Sequence, residues 1–240
     1  MTLVIAHRGA SAYAPENTMA AFELAARQGA DMCELDVQPT ADGQLVVFHD
    51  ETTERWDGQR RRAAACTLAE LQALDIGGER VATLAEVCDF ARERGMRLNV
   101  ELKGPGFGAA VARLLRDTRT AELVLISSFW PAALQEIAAA DPSLPRAYLM
   151  GIRTLRPDVR LRESWPFLAL RRVGASAWHP ASEIPGLTRV LPLVRRAGYQ
   201  VNVWTVNDPA AMRRLIALGA DGIITDRPDV LRQVIGDRSC

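Results

Sequence analysis

Short runs of β-branched and aliphatic residues alternate along the chain with longer stretches in which apolar residues recur every three or four positions. The first pattern suits buried strands and the second amphipathic helices, so their alternation predicts a parallel sheet with crossover helices. The strand-like runs fall at 3–7, 31–38, 97–103, 123–127, 146–150, 175–178, 200–205 and 222–225. Helical patterns occupy 17–28, 84–94, 108–116, 131–140, a weaker 157–171, 187–196, 210–218 and 228–235. Eight βα units predict an α/β fold closed as a TIM (β/α)8 barrel. An open doubly wound sheet fits less well, since it usually has fewer strands and no glycine-rich phosphate loop follows the first run.

Residues 39–81 interrupt the alternation. They are too many for a βα loop and carry strand and helix signals of their own. A small insertion after the second strand, lying over the barrel mouth, is therefore expected within a single domain spanning 1–240. Asp42-Gly43 is a hairpin-turn signal, and the apolar run 45–48 suits a return strand antiparallel to the stretch ending near Thr40. A two-residue loop sets His49 opposite Asp36, and a slightly longer one sets it opposite Leu35 or Glu34.

Composition narrows the function classes. With 48% hydrophobic and 24% charged residues the chain has the balance of an ordinary globular protein. Its 29 acidic and 29 basic residues cancel, so no overall field draws it to nucleic acid or holds it stably on a membrane. Any phosphate recognition must come from a few placed residues. No secretory signal or membrane-length apolar run is evident, so a cytoplasmic location is expected. Cys33, Cys66, Cys88 and Cys240 form no CxxC pair, which suggests reduced thiols and neither zinc nor disulfides. Assembly into a homo-oligomer is left open.

The polar residues fall at strand ends. Residues two apart on a strand share a face, so Glu34 with Asp36, Glu101 with Lys103, and Asn202 with Trp204 should project together. His7, Arg8, Ser127, Ser128 and Asp226 fall at or just beyond such ends, the rim where barrels of this kind carry their chemistry. Three carboxylates among aliphatic neighbours demand a cation or hydrogen bonds. A donor set of oxygen alone favours Mg2+ or Ca2+ over zinc. The competing arrangement is an ion-pair network, with Glu101 on Lys103 and another carboxylate on Arg8. His7 and His49 converge on the same rim as a candidate acid/base pair. His49, beside the carboxylates, is expected to favour its cationic form and act as the acid, with His7 as the base. His179 suits a capping or loop position at least as well as a substrate contact, while Trp204 suits either plain core packing or contact with a ligand's carbon skeleton, the second being preferred as a substrate-binding role.

The segment IAHRGASAYAPENTMAAF, followed by GADMCELDVQPTADGQLVVFHD, resembles the opening signature of the glycerophosphodiester phosphodiesterase family. Further matches are NVELK at 99–103, ISSF at 126–129, VNVWTVN at 201–207 and GADGIITDRP at 219–228, so the resemblance runs nearly the whole length. It implies a TIM barrel with a small insertion, and metal-dependent hydrolysis of glycerophosphodiesters to sn-glycerol 3-phosphate and an alcohol. Proximity makes the glycerol 2-hydroxyl the expected nucleophile, giving a cyclic phosphate that water then opens, with direct attack by water at the cation as the alternative. The resemblance further implies His7 and His49 as acid/base residues and Glu34, Asp36 and Glu101 as ligands of one divalent cation. Arg8 and Lys103 would bind phosphate, with Glu16 close by in support of Arg8 or the metal. The stretch ETTERWDGQRRR after Asp50 departs from the family's pattern, which bears on the choice of leaving alcohol. A cyclising phospholipase of the phosphoinositide-phospholipase C or sphingomyelinase D type is the alternative. Its membrane-facing features would have to come from Trp56 and the basic run 60–62.

Overall fold

The computed structural model of the chain describes residues 1–151 and 157–236. The strands in chain order are β1 (Leu3–His7), β2 (Met32–Pro39), β3 (Leu45–Val47), β4 (Ala82–Thr83), β5 (Arg97–Leu102), β6 (Val124–Ser128), β7 (Arg146–Met150), β8 (Ala177–Pro180), β9 (Gln200–Val203) and β10 (Gly222–Thr225). Between and after them run α1 (Met19–Arg27), α2 (Glu54–Asp57), α3 (Leu68–Gln72), α4 (Leu84–Arg94), α5 (Gly108–Asp117), α6 (Pro131–Ala140), α7 (Pro157–Ser164), α8 (Phe167–Arg172), α9 (Leu187–Arg196), α10 (Pro209–Ala217) and α11 (Pro228–Gly236). β1 pairs in parallel with both β2 and β10, which closes the eight parallel strands into a TIM barrel. β3 and β4 extend the sheet antiparallel from the far end of β2.

Most elements differ from the sequence pattern by no more than a residue or two at an end, and two of the differences have a clear local reason. The sixth barrel strand is Ala177–Pro180, not 175–178, because the Ala175 N–H closes the end of α8 on Leu170 O. Pro180 lacks a donor but still serves the sheet: its carbonyl accepts from Trp204 N at 3.0 Å. The weak helical stretch divides into α7 and α8 at Trp165-Pro166, since a proline disfavours helix in the residue before it. Cys33, Cys66 and Cys88 are buried free thiols, whereas Cys240 lies outside the described residues.

The strand period of two divides the core. One set of side chains, including Val4, Leu35, Val100 and Ile126, packs outward against the helices. The opposite set fills the barrel axis, where Ile5, Met32, Leu125, Ala147, Ala177 and Ile224 form a separate apolar cluster. The residues after β2 bury their own small core of Val46, Phe48, Leu71, Leu74, Ile76 and Val81.

His179 was expected at a loop or against substrate, and the structure corrects this. The later strand boundary turns it into the barrel, fully buried, where its Nε2 accepts from Asn202 Nδ2 at 2.9 Å. Burial pushes it down to about 3, so it is neutral. Asn202 lies beside it on the neighbouring strand β9, and it has room there because β10 carries no side chain at Gly222, its register partner on the other side. A Cβ there would stand 2.5 Å from Asn202 Oδ1 and 2.9 Å from Ile5 Cδ1.

Gly222→Ala should therefore destabilise the barrel by about 1–3 kcal/mol, the range for overpacking a filled core, seen as a lowered Tm. An unchanged Tm would contradict this account of the axis. His179 also contributes a pH dependence. Its folded pKa of about 3 lies below the unfolded value of about 6.5, so the stability held above pH 6.5 is lost progressively as pH falls toward 3. Urea unfolding from pH 7 to 4.5 should show His179→Gln losing stability less steeply than wild type. Equal slopes would mean that the imidazole is not held neutral.

Candidate active site

The carboxyl end of β1 runs into a turn pressed on α1. A Cβ at Gly9 (φ 82°) would meet the Ala21 carbonyl carbon at 2.6 Å, so only glycine fits there. Arg8 before it and Asn17 further along take left-handed backbone at φ 55° and 59°, uncommon for residues with a side chain. Both conformations aim polar groups at carboxylates. Arg8 N–H donates to Glu34 Oε2 at 2.9 Å. Asn17 donates from Nδ2 to Asp36 Oδ2 at 2.9 Å, and its Oδ1 accepts from Asp36 N at 3.3 Å. Sequence reasoning passed over Asn17. The available signal was an asparagine, a residue tolerant of left-handed backbone, just before the N-cap Thr18.

β2 and β5 run side by side with Asp36 opposite Glu101 and Glu34 opposite Asn99. Glu34, Asp36 and Glu101 are all buried, and each offers a carboxylate oxygen within 4.8 Å of the others. Lys103 Nζ lies 3.1 Å from both Asp36 Oδ1 and Glu101 Oε1, and Arg8 Nε lies 3.2 Å from Asp36 Oδ2. The ion-pair network weighed above is thus partly present. It leaves one carboxylate over. Burial would raise Asp36, yet the charges of Lys103 and Arg8 hold it well below the ordinary carboxylate range. Burial, then the charges of Asp36 and Glu101, push Glu34 well above that range, and burial and Asp36 push Glu101 up to about 7 despite Lys103. Two cations do not neutralise three buried carboxylates. A hard divalent cation fits this all-oxygen donor set.

His49 arrives on the hairpin. Val37 pairs with Val47 and Phe48 N–H donates to Asp36 O at 2.9 Å, which sets His49 opposite Leu35, the register of a longer loop. Its Nδ1 lies 2.9 Å from Asp50 Oδ1. The expected preference of His49 for its cationic form is not found. Burial first, then the charges of Lys103 and Arg8, outweigh Asp36 and Asp50 and hold it below the ordinary histidine value. His7 Nδ1 lies 2.6 Å from Asp226 Oδ1. Asp226 also accepts from Asn207 Nδ2 at 2.5 Å and Ser11 Oγ at 3.0 Å. Burial works to raise Asp226, but these hydrogen bonds and His7 hold it at about 2, an ionised acceptor for the ring. Sequence reasoning placed Asp226 on the rim without joining it to His7, 219 positions away.

His7, Arg8, Glu34, His49, Asn99, Glu101 and Lys103 form the polar wall of a cavity of about 230 Å³. Phe129, Leu149, Trp204 and Ile224 form the apolar wall, with Trp204 edge-on to Phe129 at 5.4 Å. Glu16 lies outside this wall, bound to Arg8 Nη1 at 3.0 Å and Arg55 Nη1 at 2.9 Å. A second acidic group, Glu16 with His49 and Asp50, is already occupied by those guanidiniums and by Trp56 Nε1 on Asp50 at 3.0 Å. Trp56 is therefore turned inward. The basic run makes surface ion pairs, Arg60 with Glu54, Arg61 with Asp57 and Arg62 with Glu51, with Arg60 and Arg62 remaining exposed. A larger groove of about 690 Å³ between α6 and α7–α8 is mostly apolar and shares none of these residues, so the chemistry belongs to the smaller cavity.

The family model of the glycerophosphoryl diester phosphodiesterase family matches residues 7–230. A glycerophosphodiester phosphodiesterase of Caldanaerobacter subterraneus subsp. tengcongensis is 36% identical over 98% of both chains, and one of Bacillus altitudinis is 33% identical over 95% of this chain and 96% of its own. Among solved structures, an Oleispira antarctica phosphodiesterase in complex with its product sn-glycerol-3-phosphate is 30% identical, with a TM-score of 0.86 over 98% of this chain and 97% of its own. The glycerophosphodiester phosphodiesterase of Agrobacterium tumefaciens is also 30% identical, with a TM-score of 0.82 over 98% of this chain and all of its own. With the barrel, the rim motifs and a match of this extent, the chain belongs to the glycerophosphoryl diester phosphodiesterase family.

Proposed function

We propose that this protein hydrolyses glycerophosphodiesters to sn-glycerol 3-phosphate and an alcohol, using His7 and His49 for proton transfer and one divalent cation held by Glu34, Asp36 and Glu101. The observation that carries it is the convergence of two imidazoles, three carboxylates, Arg8 and Lys103 on one cavity of about 230 Å³. That volume suits a small polar substrate better than an acyl chain. Trp56, whose Nε1 donates to Asp50, does not offer the exposed apolar contact that the phospholipase alternative would take from it.

When bound, the Mg2+ or Ca2+ supplies positive charge against the phosphoryl oxygens. Arg8 and Lys103 supply fixed charge to the same oxygens, where negative charge grows in the transition state. Asp226 orients His7 through Nδ1, which leaves Nε2 to face the cavity. One imidazole accepts the proton of the nucleophile, and the other donates a proton to the departing alkoxide across the phosphorus. The glycerol 2-hydroxyl is the proposed nucleophile, since attack from within the same molecule replaces a bimolecular encounter. Phosphorus gains that oxygen as it loses the alkoxide, and water then opens the cyclic phosphate. Phe129 and Trp204 shield the apolar side.

Residues 1–240 act in this proposal as one catalytic unit, with 39–81 delivering His49 to the mouth. The described residues contain no helix long and apolar enough to cross a membrane. Three buried unpaired thiols suit a reducing compartment, and we place the enzyme in the cytoplasm.

Removal of either imidazole, in His7→Ala or His49→Ala, should lower kcat on glycerophosphocholine by about 10²–10⁴ while circular dichroism stays native. Asp226→Asn should reduce kcat by at least about tenfold with a smaller change in KM, because it disturbs the His7 tautomer. Retained turnover in both histidine variants would remove the two-imidazole scheme. Cation binding should also release protons, because Glu34 and Glu101 are held above their ordinary values when no cation neutralises them. Calorimetric titration of chelator-treated enzyme with Mg2+ at pH 6.5 should give heats that vary with the buffer's ionisation enthalpy, and buffer-independent heats would contradict this.

A further inference from the structure

Asn99 is a polar group that neither the cation nor the proton transfers employ. It lies on β5 two residues before Glu101, so it faces the barrel axis one pleat deeper, about 7 Å further from the mouth. Strand register sets it beside Glu34, and it lines the floor of the 230 Å³ cavity with no solvent exposure. Neither its Oδ1 nor its Nδ2 has a hydrogen-bond partner among the described residues. Buried carboxamides are normally satisfied, and an orphaned one facing a cavity marks a place for a ligand.

The two ends of the carboxamide define the complementary ligand. Oδ1 accepts and Nδ2 donates, so the partner must offer both a donor and an acceptor side by side. A metal ion satisfies only Oδ1 and leaves the Nδ2 hydrogens facing positive charge. A phosphoryl group satisfies only Nδ2. A hydroxyl does both, and adjacent hydroxyls on neighbouring carbons span both atoms of one carboxamide. We infer that Asn99 is a specificity residue that reads the substrate's glycerol end at the floor of the cavity. Its Oδ1 accepts from the terminal hydroxyl and its Nδ2 donates to the 2-hydroxyl oxygen, whose own proton stays free for the imidazole. The phosphorus then sits above it, level with Glu101, Arg8 and Lys103, and the leaving alcohol points toward the mouth. This deepens the proposed function and rests on it.

The test is binding of sn-glycerol 3-phosphate against propyl phosphate, which has the same phosphate and no hydroxyls, measured by calorimetry on the full chain with Mg2+. Wild type should prefer sn-glycerol 3-phosphate by about 10- to 100-fold, since a site built to pair hydroxyls discriminates strongly against their absence. In Asn99→Leu and Asn99→Ala the two ligands should bind within about threefold of each other, with propyl phosphate held as in wild type and Mg2+ affinity unchanged. Asn99→Ser, smaller and still polar, should recover part of the preference and serves if the apolar variants fold poorly. The inference is overturned if the variants keep the wild-type ratio, if both ligands weaken together, or if wild type shows no preference. Failure of wild type to hydrolyse glycerophosphocholine would instead overturn the proposed function, so the two failures are distinct.

Discussion

Three carboxylates are buried at the end of two neighbouring strands, and among the described residues two cationic side chains, Arg8 and Lys103, pair with them. Glu34, Asp36 and Glu101 cannot all stay ionised there without further positive charge, and the raised positions of Glu34 and Glu101 express that deficit. Much of the surrounding architecture serves to hold the cluster together. Asn17 and Arg8 take left-handed backbone to donate to it, Lys103 bridges two of its members, and the hairpin after β2 brings an imidazole beside it. A fold selected for stability alone would replace such charges with apolar groups at little loss. Their presence at this rim therefore points to function and not to stability.

The barrel provides the geometry this cluster requires. Alternation along each strand sends Met32 to the apolar axis and Glu34 and Asp36 to the polar end above it, so one strand contributes to both core and site. β2 runs beyond its partner β1, and its last residues pair instead with β3. That overrun delivers His49, while closure of the barrel between β1 and β10 delivers Asp226 to His7. Two histidines far apart in sequence thus face one cavity because the sheet both closes and overshoots.

Most of the barrel was legible in the chain because strand and helix periods are local. The strands at 3–7, 146–150 and 222–225 coincide with their apolar runs, and the carboxylate cluster followed from strand parity together with the gathering of strand ends on one barrel rim. Interactions set by closure were not legible. The partnership of His7 with Asp226, the burial of His179 behind Asn202, and the commitment of Arg55 to Glu16 all depend on which loops meet. The apolar run of the sixth strand stops at Trp178, yet the strand continues through Pro180, whose carbonyl serves the sheet although its nitrogen cannot donate. His49 looked cationic when only its acidic neighbours were counted. Burial and the cations brought by the fold reverse that balance.

The most direct measurement is anomalous diffraction from crystals soaked with Mn2+, a hard cation that accepts the same oxygen donors and scatters distinctively. One peak bounded by the carboxylates of Glu34, Asp36 and Glu101 is the predicted result. A map in which those three groups remain bound only to Arg8, Lys103 and Asn17, with the manganese elsewhere or nowhere, would contradict it.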